Sequence, residues 1–291
     1  MSFVCNLCPR YCNAVRTDTE NIGGVCGMPY TLKVARASKH LWEEPCISGE
    51  NGSGTIFFSG CQLKCSYCQN YEISHGKFGK YITVERLADI FRELEEIGVN
   101  NINLVSATQF VPLVIQALDI YKPNIPIVFN SGGYETPETL ELLRNYVDVF
   151  LLDFKYWTPE ISERFSCAKN YPEVAKAAIQ KAYEIVGNPT FTGDIMTRGV
   201  IIRHLLLPSA TNECIEIMSW IKQSGMNVVF SLMNQYTVMP DNKIPQLSRK
   251  VTKREYQKVL YKMMELDLDG YVQDDTSSGL EFIPSFDLSG V

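Results

Sequence analysis

The sequence predicts an α/β chain, a partial (βα)6 TIM-type barrel with a small N-terminal cysteine-rich metal-binding segment, and three observations carry that prediction. Between Gly54 and Leu266, apolar runs of strand character alternate six times with segments of helical spacing, as βα units around a parallel sheet do. Ten cysteines are present, seven of them in two tight groups at residues 5–26 and 61–68. The length of 291 residues, 45% of them hydrophobic, suffices for one large domain and an appendage. The expected division is a cysteine-rich segment over residues 1–50, a barrel over 51–275 and a tail over 276–291.

Each unit has its own signal. The first strand is TIFFSG (55–60), which runs into the second cysteine group. Thr83 is a helix N-cap; Leu87, Ile90, Phe91, Leu94 and Ile97 form the apolar stripe behind it, and Gly98 ends the helix. NINLVS (101–106) and IPIVFN (125–130) are the second and third strands, with the helix FVPLVIQALDIY between them. The helix TPETLELLRNY follows, with Pro137 at its start. VDVFLLDFK (147–155) is the fourth strand, and a helical region from about Pro159 to Val186 comes next, broken near Asn170 and Pro172. TRGVIIRHLLLP (197–208) and NVVFSLM (227–233) are strands five and six, each with a helix after it, NECIEIMSWIKQSG and Lys253 to Leu266. Six pairs, where a closed barrel has eight, leave the mouth at the C-terminal strand ends open, and the loops there build the site.

The net charge of −6 includes no basic tract that would track a phosphate backbone, which disfavours nucleic acid as a partner. No apolar run approaches the roughly 18 residues of a membrane span, and MSFVCNLCPR has neither the basic nor the apolar region of a secretion signal. The expected location is therefore cytoplasmic, away from the membrane. In that compartment closely spaced cysteines bind metal rather than form disulfides.

Cys5, Cys8, Cys12 and Cys26 complete a coordination sphere of four thiolates, and Gly23-Gly24 supplies the turn that folds the loop back onto a metal. Zinc and an auxiliary iron–sulfur cluster both satisfy this set. GCQLKCSYCQN (60–70) instead offers Cys61, Cys65 and Cys68 at C-x3-C-x2-C spacing, one ligand short of either centre. A 4Fe-4S cubane held by three thiolates leaves one iron open to a small molecule that presents an amine and a carboxylate. S-adenosylmethionine has such an end, and its sulfonium is reducible.

With the aromatic Tyr67 just before its last cysteine, this loop resembles that of the radical S-adenosylmethionine superfamily. ISGENGSGTIFFSGCQLKCSYCQNYEIS, LLDFKYW and VIIRHLLLP are similar to the pyruvate formate-lyase activating enzyme branch, in the relatives that carry an N-terminal CxxCPxxC motif. The resemblance implies an enzyme that passes one electron from a donor such as flavodoxin or ferredoxin through the cluster to S-adenosylmethionine. Methionine and a 5′-deoxyadenosyl radical result, and the radical abstracts hydrogen from a protein, peptide or small-molecule substrate. In the activating enzymes that substrate is a glycine of a glycyl radical enzyme.

Asp153 and Lys155 lie two apart on the fourth strand and share a face; the resemblance implies that they contact the methionyl end of the cofactor. Of the neighbours Arg203 and His204 only one can face the barrel, and Arg203 is the expected one because its fork suits a carboxylate. Where the superfamily has Gly-Gly-Glu for the cofactor's amino group, this chain has Val105, Ser106, Ala107 and Thr108, so Ser106 and Thr108 are the candidate acceptors. Asn130 and Ser131 end the third strand where the activating enzymes have Asp-Thr-Asn-Gly. SLMNQY resembles the sixth-strand end whose polar side chain meets the ribose in the family, which makes Gln235, with Tyr236 as the substitute, the candidate for that contact.

Three cysteines stand alone. Cys214, beside Ile215 and Ile217, reads as a small core hydrophobe. Cys46 and Cys167 read as packing, with approach to the mouth or to the N-terminal metal as the other reading. A non-catalytic iron–sulfur electron carrier or metal-binding regulator is the competing function, and it would require neither the open iron nor the polar strand ends at Asp153, Lys155 and Arg203.

Overall fold

The computed structural model describes residues 2–239, 244–273 and 285–291. The chain opens with a small antiparallel sheet of β1 (Ser2–Val4), β2 (Val15–Thr17) and β3 (Asn21–Ile22). It then enters a ten-stranded sheet through β4 (Leu32–His40), the short helix α1 (Pro45–Ser48) and β5 (Ser53–Phe58). Next come α2 (Tyr71–Ser74), β6 (Lys80–Ile82), α3 (Val84–Glu96), β7 (Ile102–Val105), α4 (Val111–Ile120) and β8 (Ile127–Ser131). The middle of the chain adds α5 (Pro137–Leu142), β9 (Val149–Asp153), α6 (Pro159–Ser166), α7 (Tyr171–Val186), β10 (Thr190–Thr192) and β11 (Ile195–Leu205). It ends with α8 (Thr211–Ser224), β12 (Val229–Met233), α9 (Lys253–Glu265) and β13 (Gly270–Val272).

Strand order in the large sheet is β6-β4-β5-β7-β8-β9-β11-β12-β13, with β10 laid against β11. Every neighbouring pair from β5 to β13 is parallel, while β4 is antiparallel to both β5 and β6. The described strands do not close into a ring, so this is an α/β partial barrel, as the six-unit pattern predicts. Local signals explain the connections: the Thr83 hydroxyl accepts from Arg86 N at the start of α3, and Thr136 does the same for Thr139 N ahead of Pro137 in α5. The helical region expected from Pro159 to Val186 is two helices, parted at Cys167, whose left-handed φ of 52° ends α6.

Beyond the six expected strands, the large sheet also contains β4, β6, β10 and β13, and the N-terminal segment forms β1 to β3. β4 reads LKVARASKH, and its cationic residues disguise an apolar pattern, shifted by an irregularity between Val34 and Arg36, in which Leu32, Val34, Ala35 and Ala37 are buried. Residues 285–291 return to this strand: Leu288 N donates to Ala35 O at 3.1 Å, Ala37 N to Ser289 O at 2.8 Å, and Phe286 meets Phe57 edge-on. Among the described residues, no helix is long and apolar enough to cross a membrane.

Two apolar layers follow from the period of two along each strand. Phe129, Phe150, Leu152, Ile202 and Phe230 point outward into the main core under the helices. Val128, Leu151, Ile201 and Val229 point inward, where Cys46 and Ile47 of α1 fill the concave side of the sheet. The barrel is therefore plugged from within at its lower end. One step further along the same strands, the inward positions become Asn130, Asp153, Arg203 and Ser231. Polar groups thus sit directly above an apolar plug, at the mouth.

Candidate active site

β5 ends at Phe58, and Gly60 (φ 79°) turns the chain into the three-cysteine loop. A Cβ on Gly60 would lie 3.0 Å from the Cys26 carbonyl oxygen, so glycine here lets the N-terminal segment rest against the loop. Cys65 is buried, and Cys61 and Cys68 are half-buried. The sulfurs have hydroxyl donors: Ser166 Oγ donates to Cys65 Sγ at 2.8 Å and Ser74 Oγ to Cys68 Sγ at 3.3 Å. Tyr67 is buried with its hydroxyl 2.7 Å from that of Tyr156, which lies 2.5 Å from Ser166 Oγ. Burial, reinforced by the neighbouring thiols of Cys65 and Cys68, pushes the Cys61 thiol up to about 12, and burial raises Cys68 as well. Thiolates in such surroundings call for a cationic partner, which is what iron supplies.

Beside the loop lies a cavity of about 850 Å³, within the roughly 300–1,000 Å³ range of small-molecule sites. Cys65, Tyr67 and Cys68 line one side, and Asn130, Asp153, Lys155, Arg203 and Gln235 line the strand ends. These polar groups form one network. Arg203 Nε donates to Asp153 Oδ1 at 2.7 Å, Nη2 donates to Asn130 Oδ1 at 2.9 Å, and Lys155 Nζ pairs with Asp153 Oδ2. Burial works against the Asp153 charge, yet Arg203 and Lys155 outweigh it and hold the carboxyl below its usual range. Lys155 is likewise raised despite burial, because Asp153 favours its charged form.

Glu43 and Glu44, in the turn ahead of α1, complete the network. Arg203 Nη1 lies 3.4 Å from Glu43 Oε2 and 3.8 Å from Glu44 Oε1. Burial raises both carboxyls, with Arg203 opposing. Three carboxylates therefore face two cations. Sequence reasoning missed this pair, because adjacent acidic residues before a proline look like any solvated turn. His204 points the other way, its Nδ1 2.6 Å from the Phe154 carbonyl oxygen, and burial pushes it down to about 4.

Thr108 and Ser131 do not line the cavity; they surround Glu135. Thr108 Oγ1 and Gln62 Nε2 donate to Glu135 Oε1 at 2.8 and 2.9 Å, and Ser131 Oγ donates to Oε2 at 2.8 Å. Burial pushes the Glu135 carboxyl up to about 7. Ser106 holds a left-handed φ of 59° just past β7, outside the cavity wall. Tyr236 is buried with its hydroxyl on Leu247 O at 2.6 Å, leaving Gln235 at the mouth. Cys46 and Cys214 are fully buried, and Cys167 is exposed.

The four N-terminal cysteines line a small space of about 20 Å³, room for about one water-sized body. Arg16, fully buried, donates from Nη1 toward Cys5 Sγ at 3.6 Å, and Asn21 Nδ2 toward Cys26 Sγ at 3.8 Å. Burial pushes the Cys8 thiol up to about 12. Among the described residues no three Cys, His, Asp or Glu side chains stand in metal-binding geometry, so the case for a metal at either cysteine set rests on donor chemistry and surroundings.

A parallel partial barrel with three cysteines at the end of its first parallel strand and ionic strand ends defines a class: the chain belongs to the radical SAM superfamily, whose model matches residues 55–221. Membership implies a 4Fe-4S cluster, S-adenosylmethionine as cofactor, and enzyme status. Uncharacterized protein MJ0674 of Methanocaldococcus jannaschii is 32% identical over 278 residues, covering 91% of this chain and 75% of that one. Among solved structures, Streptococcus suis SuiB bound to S-adenosylmethionine is 15% identical with a TM-score of 0.47. The match covers 76% of this chain but only 46% of SuiB, so the chain spans under half of that protein. A domain of pyruvate-formate lyase-activating enzyme from Bacteroides vulgatus is 12% identical with a TM-score of 0.39, covering 66% of this chain and 91% of that domain.

Proposed function

We propose that Cys61, Cys65 and Cys68 hold a 4Fe-4S cluster with one iron left for S-adenosylmethionine, and that the cavity beside them receives that cofactor and a substrate. The observation that carries this reading is the convergence of Cys65 and Cys68 with Asn130, Asp153, Lys155 and Arg203 on one cavity of about 850 Å³. Asp153, held ionised by Arg203 and Lys155, is a fixed acceptor for the cofactor's amino group, and the two cations offer donors to its carboxylate. Tyr67 presents its ring to the cavity while its hydroxyl is engaged behind the wall. Gln235 supplies an amide for the sugar. An electron carrier needs no cavity of this size with such a floor. When bound, cluster and cofactor supply one-electron cleavage to methionine and a 5′-deoxyadenosyl radical for hydrogen abstraction from a protein, peptide or small molecule, glycyl radical enzyme activation being one reaction of that class.

The test is anaerobic reconstitution with iron and sulfide, then dithionite and S-adenosylmethionine: the wild type yields 5′-deoxyadenosine and the Cys65→Ala variant does not. An intact cluster that yields none in the wild type refutes the reading. We further infer a second metal, zinc or an auxiliary iron–sulfur cluster, at Cys5, Cys8, Cys12 and Cys26, on the strength of four thiols around one small space with a buried guanidinium as counter-charge. Metal analysis of the Cys61/Cys65/Cys68 triple alanine variant checks it; absence of any metal there disproves the site.

A further inference from the structure

Arg10 stands between Cys8 and Cys12, and its guanidinium reaches three carbonyls outside its own segment. Nε donates to Gln62 O at 2.8 Å, inside the cysteine loop. Nη2 donates to Ser166 O at 3.1 Å and Nη1 to Cys167 O. Both of these carbonyls lie at the C-terminal end of α6, where the helix leaves acceptors unpaired and its dipole favours a cation. The loop docks on the same helix end through its backbone, Ser66 N donating to Phe165 O at 2.9 Å and Lys64 N to Ser166 O at 3.4 Å. One side chain of the N-terminal segment therefore pins the loop and the helix end together.

From that helix end Ser166 Oγ reaches Cys65 Sγ at 2.8 Å and Tyr156 Oη at 2.5 Å. A ligating thiolate only accepts, so Ser166 donates to Cys65 and takes its own hydrogen bond from Tyr156, which in turn accepts from Tyr67 at 2.7 Å. Arg16 makes a second tie. Its Nη1 donates to Gln109 O at 2.7 Å, and Gln109 Nε2 donates to Ser59 O at 2.9 Å and Gly60 O at 3.2 Å, immediately ahead of Cys61.

Hydrogen bonds to cluster sulfurs stabilise the more negative reduced state and so set the reduction potential. Resting on the reading that Cys65 ligates the cluster, we propose that Arg10 is a positioning residue through which the N-terminal four-cysteine segment fixes the Ser166 hydrogen bond to Cys65. The segment thereby sets the potential at which the cluster takes its electron. Disorder in the four-cysteine segment reaches the cluster through Arg10.

The test uses the full chain, reconstituted anaerobically, with Arg10→Gln, Arg10→Lys, Ser166→Ala and the Arg10→Gln/Ser166→Ala double variant. Two measurements are made, the cluster midpoint potential by EPR-monitored titration and the amide hydrogen exchange of residues 61–68. Ser166→Ala is expected to shift the potential to more negative values. Arg10→Gln is expected to shift it in the same direction and to speed loop exchange about tenfold, while Arg10→Lys, keeping the charge without the fork, recovers part of both. Because both residues act through one bond, the double variant should shift no further than Ser166→Ala alone. An unchanged potential in Arg10→Gln alongside a lower melting temperature, or fully additive shifts, overturns the proposal. Exchange needs no catalysis, so unaltered loop exchange in Arg10→Gln overturns the Arg10 tie whether or not 5′-deoxyadenosine is made, and the two readings fail separately.

Discussion

The two cysteine groups occupy contrasting surroundings. The four-cysteine segment borders a space of about 20 Å³ and has Arg16 buried against it, whereas the three-cysteine loop borders about 850 Å³ floored by Asp153, Lys155, Arg203 and the Glu43-Glu44 pair. A closed set of thiols with a fixed counter-charge suits a centre that stays put. An incomplete set beside a large polar cavity suits one that exchanges a ligand. The contrast teaches that ligand number and surroundings vary together here: the loop lacks a fourth thiol on the side where the chain leaves space.

The comparison breaks most visibly at single cysteines. Cys65→Ala should lower 5′-deoxyadenosine formation to background, while Cys8→Ala should leave the iron of the loop cluster in place, both read by chromatography and metal analysis of reconstituted protein. Equal loss of loop iron in the two variants would mean that the groups form one centre. Next in size is the cavity floor. Arg203→Met leaves Glu43 and Glu44 without their cation and Asp153 with Lys155 alone, and should cost about 3–5 kcal/mol in urea unfolding. Glu43 and Glu44 are raised by burial, so protonating them relieves the repulsion, and the penalty should be smaller at pH 5 than at pH 8.

Glu135 sits between the two regions, tied to Gln62 of the loop. Its carboxyl is raised to about 7, so its contribution to stability is fully present below the usual carboxylate range and is lost as pH rises through about 7. Glu135→Gln keeps the acceptor for Gln62 and Thr108 and should overtake the wild type in stability between pH 5 and 8, by about 3 kcal/mol at most. A constant difference across that range would show that Glu135 ionises without penalty. The smallest effect is expected at the rim of the N-terminal segment, where Thr139 Oγ1 donates to Leu7 O at 2.9 Å. Thr139→Val should cost about 1 kcal/mol and loosen only residues 5–12 in hydrogen exchange.

Legibility in the sequence followed the range of the interaction. The βα alternation, the cap at Thr83, the helix start at Pro137 and both cysteine spacings are local patterns, and residues within a few positions of one another reveal them. The parity of Asp153 and Lys155 was equally legible, since side chains two apart on a strand share a face. β4 escaped because its cations mask the apolar pattern, and it is identified only by its partner β5. Ser106, Thr108 and Ser131 lie beside the mouth in sequence register, yet the left-handed turn at Ser106 and the buried carboxyl of Glu135 draw Thr108 and Ser131 behind the wall.

By itself, then, the sequence determined the repeating βα architecture and the two thiol sets, because periodicity and spacing act over a few residues. Only the tertiary structure decided what surrounds those thiols. Glu43 and Glu44 meet Arg203 across some 160 residues of chain, and Arg10 meets Ser166 across a similar span. Burial of charge and the pairing of helix-end carbonyls are set by which surfaces the folded sheet brings together, and no local pattern records them.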